Sequence, residues 1–196
     1  MSILYRYGNT YYINLTNKCP CRCVFCVRND TDRLGDADTL WLSDEPTADQ
    51  VINELKLRDL SKSREIVFCG YGEPTERLDV LLDVAKRIHS DFNLRVRLDT
   101  NGLGNLINGR DIVPDLAKAV DAVSISLNAS DEHEYLDVTK SKFGIKSYDE
   151  VLKFIKECRT CMDSVTVSVV GGSISEDSEN KCRTMAREMN VAFRVR

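Results

Sequence analysis

The chain has 196 residues, of which 42% are hydrophobic and 30% charged, a composition that indicates a folded domain and argues against disorder. Its net charge of −4 gives no support for a nucleic-acid-binding surface, and no apolar run approaches the roughly 20 residues of a membrane helix. Eight cysteines without an N-terminal signal sequence predict a reducing, cytoplasmic setting. We expect a single domain over 1–196, with no capping domain after it.

Strands alternate with helices along the chain. The predicted strands cover 11–16, 65–69, 94–100, 122–127, 165–170 and 191–195, and the predicted helices 47–60, 77–89, 112–120, 148–158 and 179–189. This alternation predicts an α/β fold with a parallel sheet, right-handed crossovers and helices outside. Six units are too few for a closed eight-stranded barrel.

A cluster of cysteines lies in the loop that follows the first predicted strand, at about 17–35. Cys19, Cys23 and Cys26 have the spacing CxxxCxxC, while Cys21 falls off this pattern. Three thiolates can hold three corners of a [4Fe–4S] cluster and leave the fourth iron open. Disulfides and a zinc site are the alternatives, but disulfides need an oxidising compartment and structural zinc sites usually show two separated ligand pairs.

Glycine and polar residues follow the later strands. Gly70-Tyr71-Gly72-Glu73-Pro74 ends the second strand and Asp99-Thr100-Asn101-Gly102 ends the third. Ser126 and Asn128 share one face of the fourth strand by its period of two, and Ser168 lies in the fifth. Because ligands in parallel α/β folds bind at the carboxyl ends of strands, these residues predict a polar ligand site beside the cysteine loop.

Together these motifs resemble the radical S-adenosylmethionine (SAM) superfamily. The resemblance implies a partial (β/α)6 barrel with a [4Fe–4S] cluster on Cys19, Cys23 and Cys26. It also implies that the cluster reductively cleaves SAM to a 5′-deoxyadenosyl radical, which abstracts hydrogen from a substrate. The implied SAM-binding residues are Phe25, Gly70, Tyr71, Gly72, Glu73, Asp99, Thr100, Asn101, Ser126, Asn128 and Ser168.

A narrower resemblance is to the TatD-family-associated radical SAM proteins, a group that suggests no substrate. We expect a polypeptide or partner-bound substrate, because a six-stranded barrel has an open side and a reactive radical must be shielded from solvent. The acidic stretch 30–49, which contains Trp41, is either a mobile lid or a solvated loop. The segments that carry this narrower resemblance are 14–21, 25–28, 70–75, 99–102, 126–128 and 193–196.

Two alternatives stay open for function. One is a small-molecule radical SAM enzyme of the deazaguanine-synthase type, and the other is a non-catalytic iron–sulfur electron carrier. An enzyme would need a flavodoxin- or ferredoxin-like electron donor. Cys158, Cys161 and Cys182 are either semi-buried thiols or ligands of a second cluster.

Overall fold

Seven strands form one sheet in which each strand pairs with its neighbours in sequence. The computed structural model describes residues 1–196. The strands are β1 (Leu4–Tyr7), β2 (Thr10–Ile13), β3 (Glu65–Phe68), β4 (Arg95–Thr100), β5 (Ala122–Ser126), β6 (Val165–Val169) and β7 (Ala192–Val195). The helices are α1 (Ala48–Lys56), α2 (Leu78–Phe92), α3 (Gly104–Asn108), α4 (Val113–Ala119), α5 (Glu132–Thr139), α6 (Ser147–Cys161) and α7 (Glu176–Glu188).

The six strands β2 to β7 are parallel, which confirms the predicted α/β architecture. The structure adds β1, which pairs antiparallel with β2 in a hairpin that aligns Leu4 with Ile13. The sheet stays open between β1 and β7. It is therefore a partial barrel of six parallel strands with one extra edge strand.

The two faces of the sheet differ in polarity. On β4, Val96, Leu98 and Thr100 are buried under the helices, while Arg97 and Asp99 lie half-buried on the opposite face. We call this second face the inner face. The strand registers place Ser124, Ser126 and Ser168 of the neighbouring strands on it as well. The helices therefore cover an apolar outer face and leave a polar inner face for a ligand.

Helix ends follow local sequence signals. Thr47 caps α1 in a capping box with Gln50, and Asn93 ends α2 in the left-handed conformation that asparagine tolerates. Two helices were not predicted from the sequence: the five-residue α3, and α5, whose only buried side chains are Tyr135, Val138 and Thr139. No helix combines the length and the apolar character that crossing a membrane would require.

The acidic stretch around Trp41 packs against the β1–β2 edge of the sheet. The Asn14 side-chain amide donates to the Leu40 carbonyl oxygen at 2.7 Å, and the Trp41 indole donates to Asp32 at 2.8 Å. Leu40 is fully buried. This segment is therefore fixed by hydrogen bonds and packing, which favours neither a mobile lid nor a fully solvated loop.

Candidate functional site

The cysteine loop follows β2 and is held from two sides. Its backbone N–H groups at Arg22 and Val24 donate to the Thr139 and Val138 carbonyl oxygens of α5, each at 2.9 Å. On the other side, the Glu73 N–H donates to the Lys18 carbonyl oxygen at 2.8 Å. The loop therefore lies between α5 and the end of β3, at the carboxyl end of the sheet.

All eight cysteines have free thiols, and Cys19, Cys23 and Cys26 are half-buried in this loop. Hydrogen bonding by the single S–H of the buried Cys21 lowers the pKa of its neighbours Cys19 and Cys23. Burial raises the pKa of Cys26. The Asn101 amide nitrogen lies 3.9 Å from the Cys19 sulfur, which gives that sulfur a second donor.

The donor set fits the predicted cluster. No three His, Cys, Asp or Glu side chains converge closely enough to hold a single metal ion. A [4Fe–4S] cluster does not need such convergence, because its three thiolates bind three different irons. Cys19, Cys23 and Cys26 would hold it, and the half-buried Phe25 lies beside the last of them.

Gly70 and Gly72 are tightly packed against the strand and loop that precede the cysteines. A Cβ atom at Gly72 would lie 2.3 Å from the Thr16 carbonyl oxygen and 2.6 Å from that of Lys18. At Gly70 it would lie 2.1 Å from the Asn14 side-chain oxygen. Gly70 and Gly72 are among the residues predicted from the sequence to bind SAM. In the structure, close packing of two chain segments already requires them.

Glu73 is buried, and its carboxylate accepts hydrogen bonds from two neighbouring segments. One oxygen accepts from the Thr75 hydroxyl at 2.8 Å, the Thr75 N–H at 3.2 Å and the Thr100 hydroxyl at 2.7 Å. The other accepts from the Asn101 N–H at 2.8 Å. Burial raises the pKa of Glu73, and these hydrogen bonds act in the opposite direction. The carboxylate thus joins the ends of β3 and β4.

The Tyr71 side chain points away from the hydrogen bonds of Glu73 and toward Trp41. Its ring meets the Trp41 ring edge-on, with centroids 5.0 Å apart, and its hydroxyl donates to the Thr31 carbonyl oxygen. Tyr71 therefore holds the acidic stretch beside the cysteine loop. Its predicted contact with SAM stays a prediction.

Two polar atoms near the ends of β5 and β6 lack hydrogen-bond partners. They are the side-chain oxygen of Asn128 and the hydroxyl oxygen of Ser168, which belong to residues 3% and 0% exposed. Asn128 has a φ of +62°, and its N–H donates to the Ser168 carbonyl oxygen at 3.2 Å. Because a buried polar group without a partner is costly, these atoms fit the predicted ribose or carboxylate contacts of SAM.

The remaining predicted contacts lie on the inner face or beside it. Asp99 pairs with Arg97 of the same strand. Burial raises the pKa of Asp99, and the charges of Arg97, Arg196 and Arg194 oppose this rise. Ser126 accepts a hydrogen bond from Arg196.

Tyr135 and the two arginines of β7 were not predicted as site residues, although the arginines belong to the segment 193–196 that carries the narrower resemblance. The Tyr135 hydroxyl is buried without a partner on α5, the helix that holds the cysteine loop. A tyrosine on an amphipathic helix looks like an ordinary core residue. Arg194 and Arg196 reach serines 70 positions earlier in the chain, a contact that no local pattern reveals.

The three later cysteines lie in different surroundings. Cys158 and Cys182 are buried on α6 and α7, and Cys161 is exposed at the end of α6. Burial raises the pKa of Cys158 and of Cys182 to about 12. These two residues therefore pack as small apolar side chains.

Comparisons with known proteins agree with this geometry. The model of the Radical SAM superfamily matches residues 13–182. A probable GTP 3′,8-cyclase from Thermococcus kodakarensis is 27% identical over 158 residues, which cover 80% of this chain and 46% of that protein. The GTP 3′,8-cyclase of Clostridium perfringens is 30% identical over 148 residues, covering 74% and 41%. The chain thus spans less than half the length of these relatives.

Solved structures share the fold at low sequence identity. Streptococcus suis SuiB, in a complex with its precursor peptide SuiA, superposes with a TM-score of 0.69 at 17% identity, covering 94% of this chain and 38% of SuiB. A radical SAM methyltransferase from Sphaerobacter thermophilus gives a TM-score of 0.64 at 15% identity, covering 98% and 57%.

The cysteine spacing, the polar strand ends and the parallel sheet are the features that the family model spans. That model covers residues 13–182, well over half of the chain. The chain therefore belongs to the radical SAM superfamily, whose cofactors are a [4Fe–4S] cluster and SAM.

Proposed function

We propose that this chain is the catalytic domain of a radical SAM enzyme that abstracts hydrogen from its substrate. The observation that carries the proposal is the position of three cysteines beside two buried, partnerless oxygens. Cys19, Cys23 and Cys26 lie in a loop at the carboxyl end of the sheet, and Asn128 and Ser168 lie at the ends of β5 and β6.

When bound to Cys19, Cys23 and Cys26, the [4Fe–4S] cluster would supply the electron for reductive cleavage of SAM. The protein's part is to position and shield them. Glu73 joins the loop ends that face the cofactors, and Asn101 donates toward the Cys19 sulfur. Asn128, Ser168 and Ser126 provide polar atoms for SAM. The predicted contacts of Gly70, Tyr71, Gly72, Asp99 and Thr100 belong to the same proposal.

We favour a polypeptide or partner-bound substrate, because the inner face stays open along β7, where Arg194 and Arg196 are exposed. SuiB, which shares the fold, was solved with a precursor peptide. A small molecule is the second candidate. The relatives named GTP 3′,8-cyclase favour it, although this chain spans only 41–46% of their length.

Within the superfamily, we place this chain with the TatD-family-associated radical SAM proteins, because its motifs resemble theirs. A flavodoxin- or ferredoxin-like protein is the electron donor we expect. Eight free thiols support a reducing, cytoplasmic setting.

The proposal is tested by anaerobic reconstitution with iron and sulfide. Cluster formation in the wild type, and its loss in the triple Cys19, Cys23 and Cys26 to Ala variant, are expected. Addition of SAM should change the EPR signal of the reduced cluster. A cluster whose EPR signal does not change when SAM is added would support the electron-carrier alternative instead.

A further inference from the structure

The inner face carries more positive than negative charge near the strand ends. Arg97 is neutralised there, because it pairs with Asp99 and lies 3.1 Å from a Glu65 oxygen. Arg194 and Arg196 on β7 form no ion pair with any carboxylate. Two guanidinium groups are therefore left without an ion-pair contact on the inner face, and Asp99, which already pairs with Arg97, is the carboxylate that feels their charge.

Each of these two arginines makes a single side-chain hydrogen bond, to a neutral group. An Arg194 nitrogen lies 3.3 Å from the Ser124 hydroxyl oxygen, and an Arg196 nitrogen lies 2.8 Å from the Ser126 hydroxyl oxygen. Both guanidinium groups thus reach back over the inner face. A guanidinium has five N–H donors, so most of the donors of both residues remain free for a ligand.

The partnerless hydroxyl of Ser168, which we also propose as a SAM contact, points to a ligand beside these arginines. Ser168 of β6 pairs in register with Ser126 on one side and Arg194 on the other. Its hydroxyl is completely buried and has no hydrogen-bond partner. A polar group therefore belongs between β5 and β7, next to the free donors of the arginines.

We propose that Arg194 and Arg196 bind an anionic group, a phosphate or a carboxylate, of the substrate. Guanidinium groups suit these anions because their parallel N–H donors match two oxygens at once. SAM carries a single carboxylate and a net positive charge, so SAM can compensate at most one of the two arginines. Both arginines also lie on β7, at the opposite edge of the parallel strands from β2, which leads into the cysteine loop. The role in substrate binding rests on the proposed function, but binding of the anion itself needs no cluster.

The test is calorimetric titration of the cluster-free chain with inorganic pyrophosphate and, separately, with citrate. Arg194→Gln and Arg196→Gln should each weaken the binding of the preferred anion about tenfold, equal to about 1.4 kcal/mol. Arg187→Gln is the matched control, because Arg187 lies on the outer helix α7 and is exposed. It should bind the anion like the wild type.

Circular dichroism should first show that all three variants are folded. The proposal is overturned if the wild type binds neither anion at millimolar concentration, or if the two variants bind as the control does. Tighter binding of pyrophosphate would identify the anion as a phosphate, and tighter binding of citrate would identify it as a carboxylate.

A second titration separates the two possible sources of the anion. SAM binding to the reconstituted protein, followed by EPR, should be the same in wild type and in both arginine variants. A parallel loss of SAM affinity would show that the arginines hold the carboxylate of SAM and would overturn the substrate assignment. Formation of 5′-deoxyadenosine without anion binding would leave the proposed function intact and remove only this inference.

Discussion

Glu73 offers the sharpest test of how the site is held together. Its carboxylate accepts hydrogen bonds from Thr75, Thr100 and the Asn101 N–H, at distances of 2.7 to 3.2 Å. In Glu73→Ala the two hydroxyls can rotate toward other acceptors, but the Thr75 N–H and the Asn101 N–H both lose their partner and a cavity remains. The expected loss of stability is about 2–4 kcal/mol, from two unsatisfied backbone N–H groups and the missing side chain.

Glu73→Gln should cost less than Glu73→Ala. The amide oxygen can keep the three hydrogen bonds from Thr75 and Thr100, while the amide nitrogen faces the Asn101 N–H as a second donor. Because burial raises the pKa of Glu73, removing the buried charge offsets part of this loss. We expect a cost of about 1–2 kcal/mol, between the wild type and Glu73→Ala.

The assay is thermal unfolding of the cluster-free chain by circular dichroism. For a chain of this size each kcal/mol shifts Tm by about 2–4 °C, so Glu73→Ala should unfold roughly 5–15 °C below the wild type. Glu76→Gln is the matched control, because Glu76 makes only a distant pair with Lys142 at 3.9 Å. A Tm of Glu73→Ala within about 2 °C of the control would refute the structural role of this carboxylate.

Further predictions concern the packing around the cysteine loop. Gly72→Ala should lower Tm by roughly 3–10 °C through overpacking, while Gly171→Ala, whose new Cβ meets mainly a side chain at 3.2 Å, should stay near the wild type. Equal values for the two would contradict the packing role. Tyr135→Phe should leave the Tm of the cluster-free chain unchanged or raised, because its buried hydroxyl has no partner; a fall beyond about 5 °C would reveal a missed hydrogen bond. After reconstitution, an iron assay should find iron in Cys21→Ala and none in Cys19→Ala. Iron in Cys19→Ala and none in Cys21→Ala would instead make Cys21 the cluster ligand.

The parallel strands were predictable because their signal is local. Each of the six carries apolar residues, in a short run or at alternate positions, and is followed by glycine or a polar residue. All six were found within a few residues of their bounds. The antiparallel β1 was missed because four residues, Leu4–Tyr7, are too few to show a period. Helix α5 was missed because its buried side chains are few and include a threonine.

The site was predictable in position and less so in role. The cysteine spacing and the strand ends placed the candidate residues on one edge of the sheet. The sequence could not show that Glu73 contacts Asn101, because that hydrogen bond joins residues 28 positions apart. It could not show that Gly72 packs on Thr16, because this contact depends on how the loop folds back over β3. Such long-range contacts depend on the tertiary structure and produce no periodic pattern in the sequence.

The most direct test of the central claim is a product assay on the reconstituted protein. The wild type, reduced by dithionite in the absence of oxygen and supplied with SAM, should form 5′-deoxyadenosine and methionine. The Cys19→Ala variant, treated identically, should form neither above background, and Cys161→Ala, which alters an exposed thiol outside the loop, should match the wild type. A wild-type protein that holds a full [4Fe–4S] cluster and binds SAM, yet produces no 5′-deoxyadenosine, would contradict the account.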